Sequence, residues 1–165
     1  MYDWANSVYA LIITTAIFPI FYEKTTTEEV IFFGKSFVNT ELYSYVISFS
    51  FMLLVVLSPI LSGMADYSGN KKKYLQFFCY LGAFSCISLY FFDAEHALEL
   101  SMLPVLLASI GFSGSLVFYN AYLPEIVTPD LQDNVSAKGF SLGYIGSSLL
   151  LIVCLVLLQG FDMPV

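Results

Sequence analysis

Five long runs of apolar side chains, separated by short polar stretches, set the solvent in which this chain folds. They extend from about Trp4 to Tyr22, Leu42 to Met64, Tyr74 to Phe92, Leu100 to Leu123 and Gly139 to Leu158. A helix crossing ~30 Å of hydrocarbon needs about 20 such residues. A β-barrel strand would alternate with period two, and Leu149 to Leu158 is nearly uniform instead. A soluble bundle would keep a polar face along each helix, and these runs have none over most of their length. Charged residues are 12% of the chain against 58% hydrophobic, and they cluster between the runs. That is about half the charge density of a soluble domain. In lipid every backbone group must be satisfied internally, which leaves helices or closed barrels. The fold class is therefore all-α, a polytopic transmembrane helix bundle. Pro19, Pro59 and Pro104 lie within or near the ends of the runs, where neighbouring groups can re-satisfy the freed carbonyls.

The net charge is −7, with six lysines and no arginine, so the chain lacks the basic clusters that a nucleic-acid partner requires. The one basic cluster is Lys71-Lys72-Lys73. Short cytoplasmic loops are enriched in Lys and Arg, which places this turn, the N-terminus and the stretch from Glu125 to Lys138 inside. The segments Glu23 to Glu41 and Asp93 to Glu99 and the C-terminal end fall outside. Cys79, Cys86 and Cys154 sit within apolar runs and read as small packing residues rather than disulfides or metal ligands. His96 stands in a short acidic loop without a second ligand nearby in sequence, so neither a metal nor another cofactor is expected. Asn134-Val135-Ser136 fits a glycosylation pattern but falls on the inner side. Met1 leads directly into Tyr2-Asp3-Trp4 without a basic stretch or cleavage site, so the first run is expected to stay in the protein. No phosphate-cradling glycine loop, H-E-x-x-H pair or G-x-S-x-G elbow occurs, and an enzyme is not expected.

Between the second and third runs lies Ser62-Gly63-Met64-Ala65-Asp66-Tyr67-Ser68-Gly69-Asn70-Lys71-Lys72-Lys73. A carboxylate at a helix end, a glycine three residues on and then cations suit a tight inter-helix turn, with Gly69 free to adopt positive φ. Asp66 could also face the N-terminus of a neighbouring helix, where the dipole favours an anion. The segment resembles the loop between the second and third helices of major facilitator transporters, Gly-x-x-x-Asp-x-x-Gly-Arg-basic. Asp66, Gly69 and Lys71 match; Ser62 stands where the first glycine is usual and Asn70 where arginine is usual. Tyr2-Asp3-Trp4-Ala5-Asn6-Ser7-Val8-Tyr9-Ala10 resembles the opening of the autophagy-related, vacuole-effluxer-like branch of that superfamily. Phe118-Tyr119-Asn120-Ala121-Tyr122-Leu123-Pro124-Glu125 and Gly143-Tyr144-Ile145-Gly146 resemble its fourth- and fifth-helix signatures. The resemblance implies about twelve helices, alternating access and solute export, with amino acids as substrates in eukaryotic members. Residues 1–165 would then be a partial N-terminal half, five of the first six helices, with the C-terminal half of the same protein as its partner.

The residues themselves suggest where a solute would pass. Asp3, Asn6, Ala10 and Thr14 recur at helical spacing on one face of the first run, and Tyr9 lies among them. A polar stripe on an apolar span should face the bundle interior or a watery path, although Asp3 and Asn6 could simply cap the helix. On the fourth run Ser109, Ser113, Leu116 and Asn120 share a face; Asn120 could bind solute or bond a neighbouring helix. On the fifth run Gly139, Gly143, Gly146 and Leu150 share a face suited to close helix packing, while Ser141, Tyr144 and Ser148 lie opposite. The proline of the superfamily's antiporter signature is missing there, so antiport is not supported. Glu125 could pair with the lysines of the 71–73 turn, or it could be a solvated interface carboxylate. With Asp66, Gly69 and Lys71 it forms a candidate cytoplasmic gate, and Asp3 or Glu125 could couple protons if buried.

The expected function is transport of a small polar solute, with amino-acid efflux by a permease as the finer reading. A membrane-embedded lipid-modifying enzyme and a non-transporting scaffold are the alternatives. The first should show clustered His, Asp, Arg or Ser at the interface, and one histidine without arginine argues against it. The short outer loops point to a bacterial inner membrane.

Overall fold

The structure is a computed structural model describing residues 2–94 and 98–160. The readings made for His96, Met1 and the C-terminal end fall outside the described residues. Five helices long and apolar enough to cross a membrane account for most of the chain. They belong to two compact units.

The first unit joins the first span to the last. The first span begins as α1 (Tyr2–Val8), widens into a π-helical stretch at Tyr9–Ala16 and resumes as α2 (Ile17–Thr25). Local sequence explains the widening. Ile12-Ile13-Thr14-Thr15 is a β-branched run, stiff at χ1 and crowded in a regular helix. Pro19 then offers no N–H, and its ring presses on the carbonyl four residues back. The chain relaxes by lengthening its hydrogen bonds to five residues. Ile17 N–H donates to Ile12 O, and the Thr15 hydroxyl donates to Ala10 O at 2.7 Å. The last span, α6 (Pro129–Gly160), packs on α1 through its glycines. At Gly146 a Cβ would fall 2.6 Å from the Trp4 ring, and at Gly143 it would fall 3.0 Å from the Asp3 carbonyl oxygen.

The second unit runs from Glu28 to Ile126. It opens with a two-stranded antiparallel hairpin, β1 (Glu29–Phe32) and β2 (Lys35–Val38), in register Glu29↔Val38 to Phe32↔Lys35. Phe33 and Gly34 make the turn with φ of 48° and 75°, the two positive angles that match the twist of a hairpin. Asn39 N–H donates to Glu28 O at 3.0 Å and closes the hairpin base. The chain then enters α3 (Asn39–Ser68), turns at Gly69 and returns as α4 (Lys71–Ser88). The last helix of the unit is α5 (Leu98–Ile126).

Within this unit α5 is the central helix. Half of its most apolar 18-residue stretch is buried, against 11 to 17% in the other four spans. Its contact with α4 needs small residues, because a Cβ at Gly111 would lie 2.5 Å from the Gly82 backbone nitrogen. Phe78, Ile110 and Phe118 form the core there, with Leu53, Leu61, Tyr74 and Leu106 packed around them. The Phe78 and Phe118 rings stack at 5.7 Å, and Tyr74 continues the stack at 5.4 Å from Phe118.

Candidate functional site

Two groups of polar side chains stand out in the second unit. The first is charged and sits where α3, α4 and α5 meet. Gly69 ends α3 in the left-handed conformation, φ 62° and ψ 12°, which costs a glycine little. The chain reverses, and Lys71 opens α4 next to the last turn of α3. Its ammonium lies 2.9 Å from Asp66 Oδ1 and 2.6 Å from Glu125 Oε1. One cation thereby ties the end of α3 and the end of α5 to the start of α4. The Lys71 side chain is 18% exposed, whereas Asp66 and Glu125 are 60% and 48% exposed. The cation is the least exposed of the three, and both carboxylates stay in contact with water. Lys72 and Lys73 remain on the surface. The structure thus brings Asp66, Gly69, Lys71 and Glu125 into one node.

The second group is uncharged and lies along α5. Ser109 donates its hydroxyl to Val105 O at 3.0 Å, the usual way for serine to satisfy itself inside a helix. Ser113, one turn later and beside the helix midpoint, does not do so. Its Oγ is buried, with no hydrogen-bond partner among the described residues. A buried hydroxyl without a partner costs free energy, which makes Ser113 a candidate for a contact from outside the described residues. Asn120 lies two turns further along and is exposed, apart from Ser113.

In the first unit Asp3 is turned into the seam between α1 and α6. It is buried at 8% exposure, and a Cβ at Gly139 would fall 2.5 Å from its Oδ2. The missing side chain of Gly139 is the space the carboxylate fills. Asn6, Tyr9 and Thr14 are half-buried, and Tyr144 is 71% exposed. The stripe read from Asp3 to Thr14 presumed one regular helix. The π stretch takes more residues per turn, so Thr14 no longer continues the line set by Asp3 and Asn6.

Sequence reasoning did not single out Trp4 and Ser7, which cover Gly146 and Gly143, nor Gly82, Gly111 and Gly114, which seat α4 on α5. A signal for the last group existed: Ala108, Gly111 and Ser115 place small residues on neighbouring turns of one helix face.

Helices of membrane length, a glycine-hinged charged turn between the second and third spans and small-residue helix seams define a polytopic membrane protein of the major-facilitator type. The family described as "Vacuole effluxer Atg22 like" matches residues 1–164, and the chain belongs to it. It is 43% identical to an uncharacterized MFS-type transporter, YxiO, of Bacillus subtilis (strain 168), over all of this chain and 38% of that protein. It is 33% identical to Autophagy-related protein 22 of Coccidioides immitis (strain RS), over 56% of this chain and 15% of that protein. An uncharacterized protein of Aquifex aeolicus (strain VF5) is 25% identical over 92% of this chain and 36% of its own length. The chain thus spans well under half the length of these relatives. No solved structure matches it.

Proposed function

We propose that the protein containing this chain exports a small polar solute by alternating access, with amino acids as the favoured cargo. The observation that carries the reading is the π-helical stretch at Tyr9–Ala16, halfway along the first span. Transporter sites lie near the bilayer midplane and use spans whose helical hydrogen bonding is interrupted there. Short π segments within helices recur at functional sites for the same reason. Ser113, buried and unpartnered beside the midpoint of α5, supports the reading independently. Asp3, Asn6, Tyr9, Thr14 and Tyr144 are the first unit's candidates for solute contact. Ser113 and Asn120 are those of the second. Asp66, Gly69, Lys71 and Glu125 serve as a gate that holds while Lys71 is paired and opens when it is released. The effluxer in the family's description and the MFS-type transporter among the relatives fit export by a transporter.

The test is reconstitution of the full-length protein into liposomes loaded with labelled amino acids of each charge class. Saturable efflux is expected for one class, with the KM rising when Ser113 is replaced by Ala or Asn6 by Ala. Absence of flux for every class in protein that still melts cooperatively would remove amino acids as cargo. Flux indifferent to both substitutions would remove these residues from the path.

A further inference from the structure

We infer that the hairpin β1–β2 is a membrane-interface anchor, whose tip Ile31-Phe32-Phe33 lies in the headgroup region of one leaflet. The first observation is a turn residue that stability alone would not select. Phe33 holds φ at 48°, a region that costs a bulky side chain and is normally given to Asn, Asp or Gly in such turns. Strain of this kind persists where something else is gained. The Phe33 ring gains no burial within the chain, being 78% exposed, and Ile31 beside it is 71% exposed.

The second observation fixes the depth of the tip. A four-residue strand standing upright would lift the turn about 13 Å above the helix ends, beyond the roughly 5–8 Å left for each headgroup layer. The hairpin does not stand free. Phe33 N–H donates to Glu99 Oε1 at 3.3 Å, and Glu99 is in the first turn of α5. At the hairpin's base, Asn39 N–H is bonded to Glu28 O where α3 begins. Both ends of the hairpin are therefore held at the level where α3 and α5 start, so the tip lies along the membrane surface.

The third observation is continuity with apolar surface that faces lipid. Val38, Tyr45 and Phe49 carry exposed apolar area from β2 onto α3, and Phe37 meets Tyr45 edge-on at 6.3 Å. Aromatic and aliphatic side chains on an element lying flat at the acyl boundary bind through buried apolar area. Glu29 and Lys35 are exposed on the same hairpin and put charge at the level of the headgroups.

The experiment uses nitroxide labels in the full-length protein reconstituted into phosphatidylcholine–phosphatidylglycerol vesicles, with native cysteines replaced. Labels at Ile31 and Phe33 are compared with a lipid reference at Val56, mid-helix and 66% exposed, and with a water reference at Lys72. Collision with oxygen and with a water-soluble nickel chelate reports depth. The expected result is oxygen access approaching that at Val56, with several-fold loss of chelate access relative to Lys72. Chelate access equal to that at Lys72 would overturn the inference, since the tip would stand in water. Shielding from both reagents with an immobile label would also overturn it, since protein would then cover the tip. A second variant guards against misfolding. Phe33→Asn suits the turn, so the hairpin persists, and the Ile31 label should gain chelate access several-fold. An unchanged Ile31 signal would show that Phe33 is not the anchor.

Discussion

Gly111 is where a single methyl group should do most damage. A Cβ there meets the Gly82 backbone nitrogen and Cα at 2.5 and 2.6 Å and the Phe78 carbonyl at 2.9 Å. Backbone cannot swing aside as a side-chain tip can, so α4 and α5 must separate. Gly111→Ala should destabilise the protein by about 1–3 kcal/mol through overpacking, lowering the melting temperature in detergent. Gly63→Ala is the control, because nothing lies within 4 Å of its added Cβ. It should be neutral or stabilising by up to ~1 kcal/mol through helix propensity. Similar losses at both sites would refute the close-approach account. A different kind of constraint operates at Lys71, where charge rather than volume decides. Lys71→Glu would set three carboxylates together, and transport should fall on the order of tenfold if the node biases the two states. Adding Glu125→Lys restores an opposed pair and should recover most of the flux. High salt should blunt the defect because both carboxylates are exposed. A double variant no better than the single would show that the pairing is incidental.

At the level of elements, the lipid-crossing helices were legible because hydrophobic length is a strong signal that neighbouring elements cannot disguise. The two irregular elements were not legible. The π stretch spans Tyr9–Ala16, too short for its period to be told from that of an α-helix. The hairpin escapes the sequence because Val30-Ile31-Phe32-Phe33 is continuously apolar and lacks the alternation that marks a half-buried strand. Its turn also uses Phe-Gly where Asn-Gly would have signalled a hairpin. The charged node was partly legible: the residues could be named from the sequence, but the choice of Lys71 over Lys72 and Lys73 depends on where α4 starts relative to Gly69. The irregular first span carries its own prediction. Pro19→Ala supplies the missing donor and removes the ring that would clash with the Thr15 carbonyl in a regular helix. A proline inside a helix costs about 3 kcal/mol relative to alanine, so the variant should melt at a higher temperature. If the π stretch shapes the solute site, the same variant should lose flux, the usual exchange of activity for stability. A more stable protein with undiminished flux would assign the stretch to local packing alone.

For the whole molecule the governing fact is the surface rather than the core. Val55, Val56, Ile60, Phe84, Ile152 and Val156 are each more than half exposed, all within spans. Soluble proteins rarely expose apolar side chains on this scale. Lipid covers it, together with whatever the remaining length of the protein contributes. Because α3 crosses the bilayer once, the hairpin before it and the Lys71 turn after it must face opposite sides. Charge predicts which side is which. Three consecutive lysines at the turn oppose a hairpin end bearing Glu28, Glu29 and Glu41 as well as Lys35. The positive-inside bias predicts the turn on the cytoplasmic side. Single cysteines at Lys72 and Lys35, both exposed in the structure, can be probed with a membrane-impermeant maleimide. Cys79, Cys86 and Cys154 lie within spans and are half-buried, so they are removed first without touching the surface. Lys35→Cys should react in intact cells, and Lys72→Cys only after the membrane is opened or inverted. The reverse pattern would place the Asp66–Lys71–Glu125 node on the far side and make it an outer gate, and export would then have to be argued afresh from the opposite orientation.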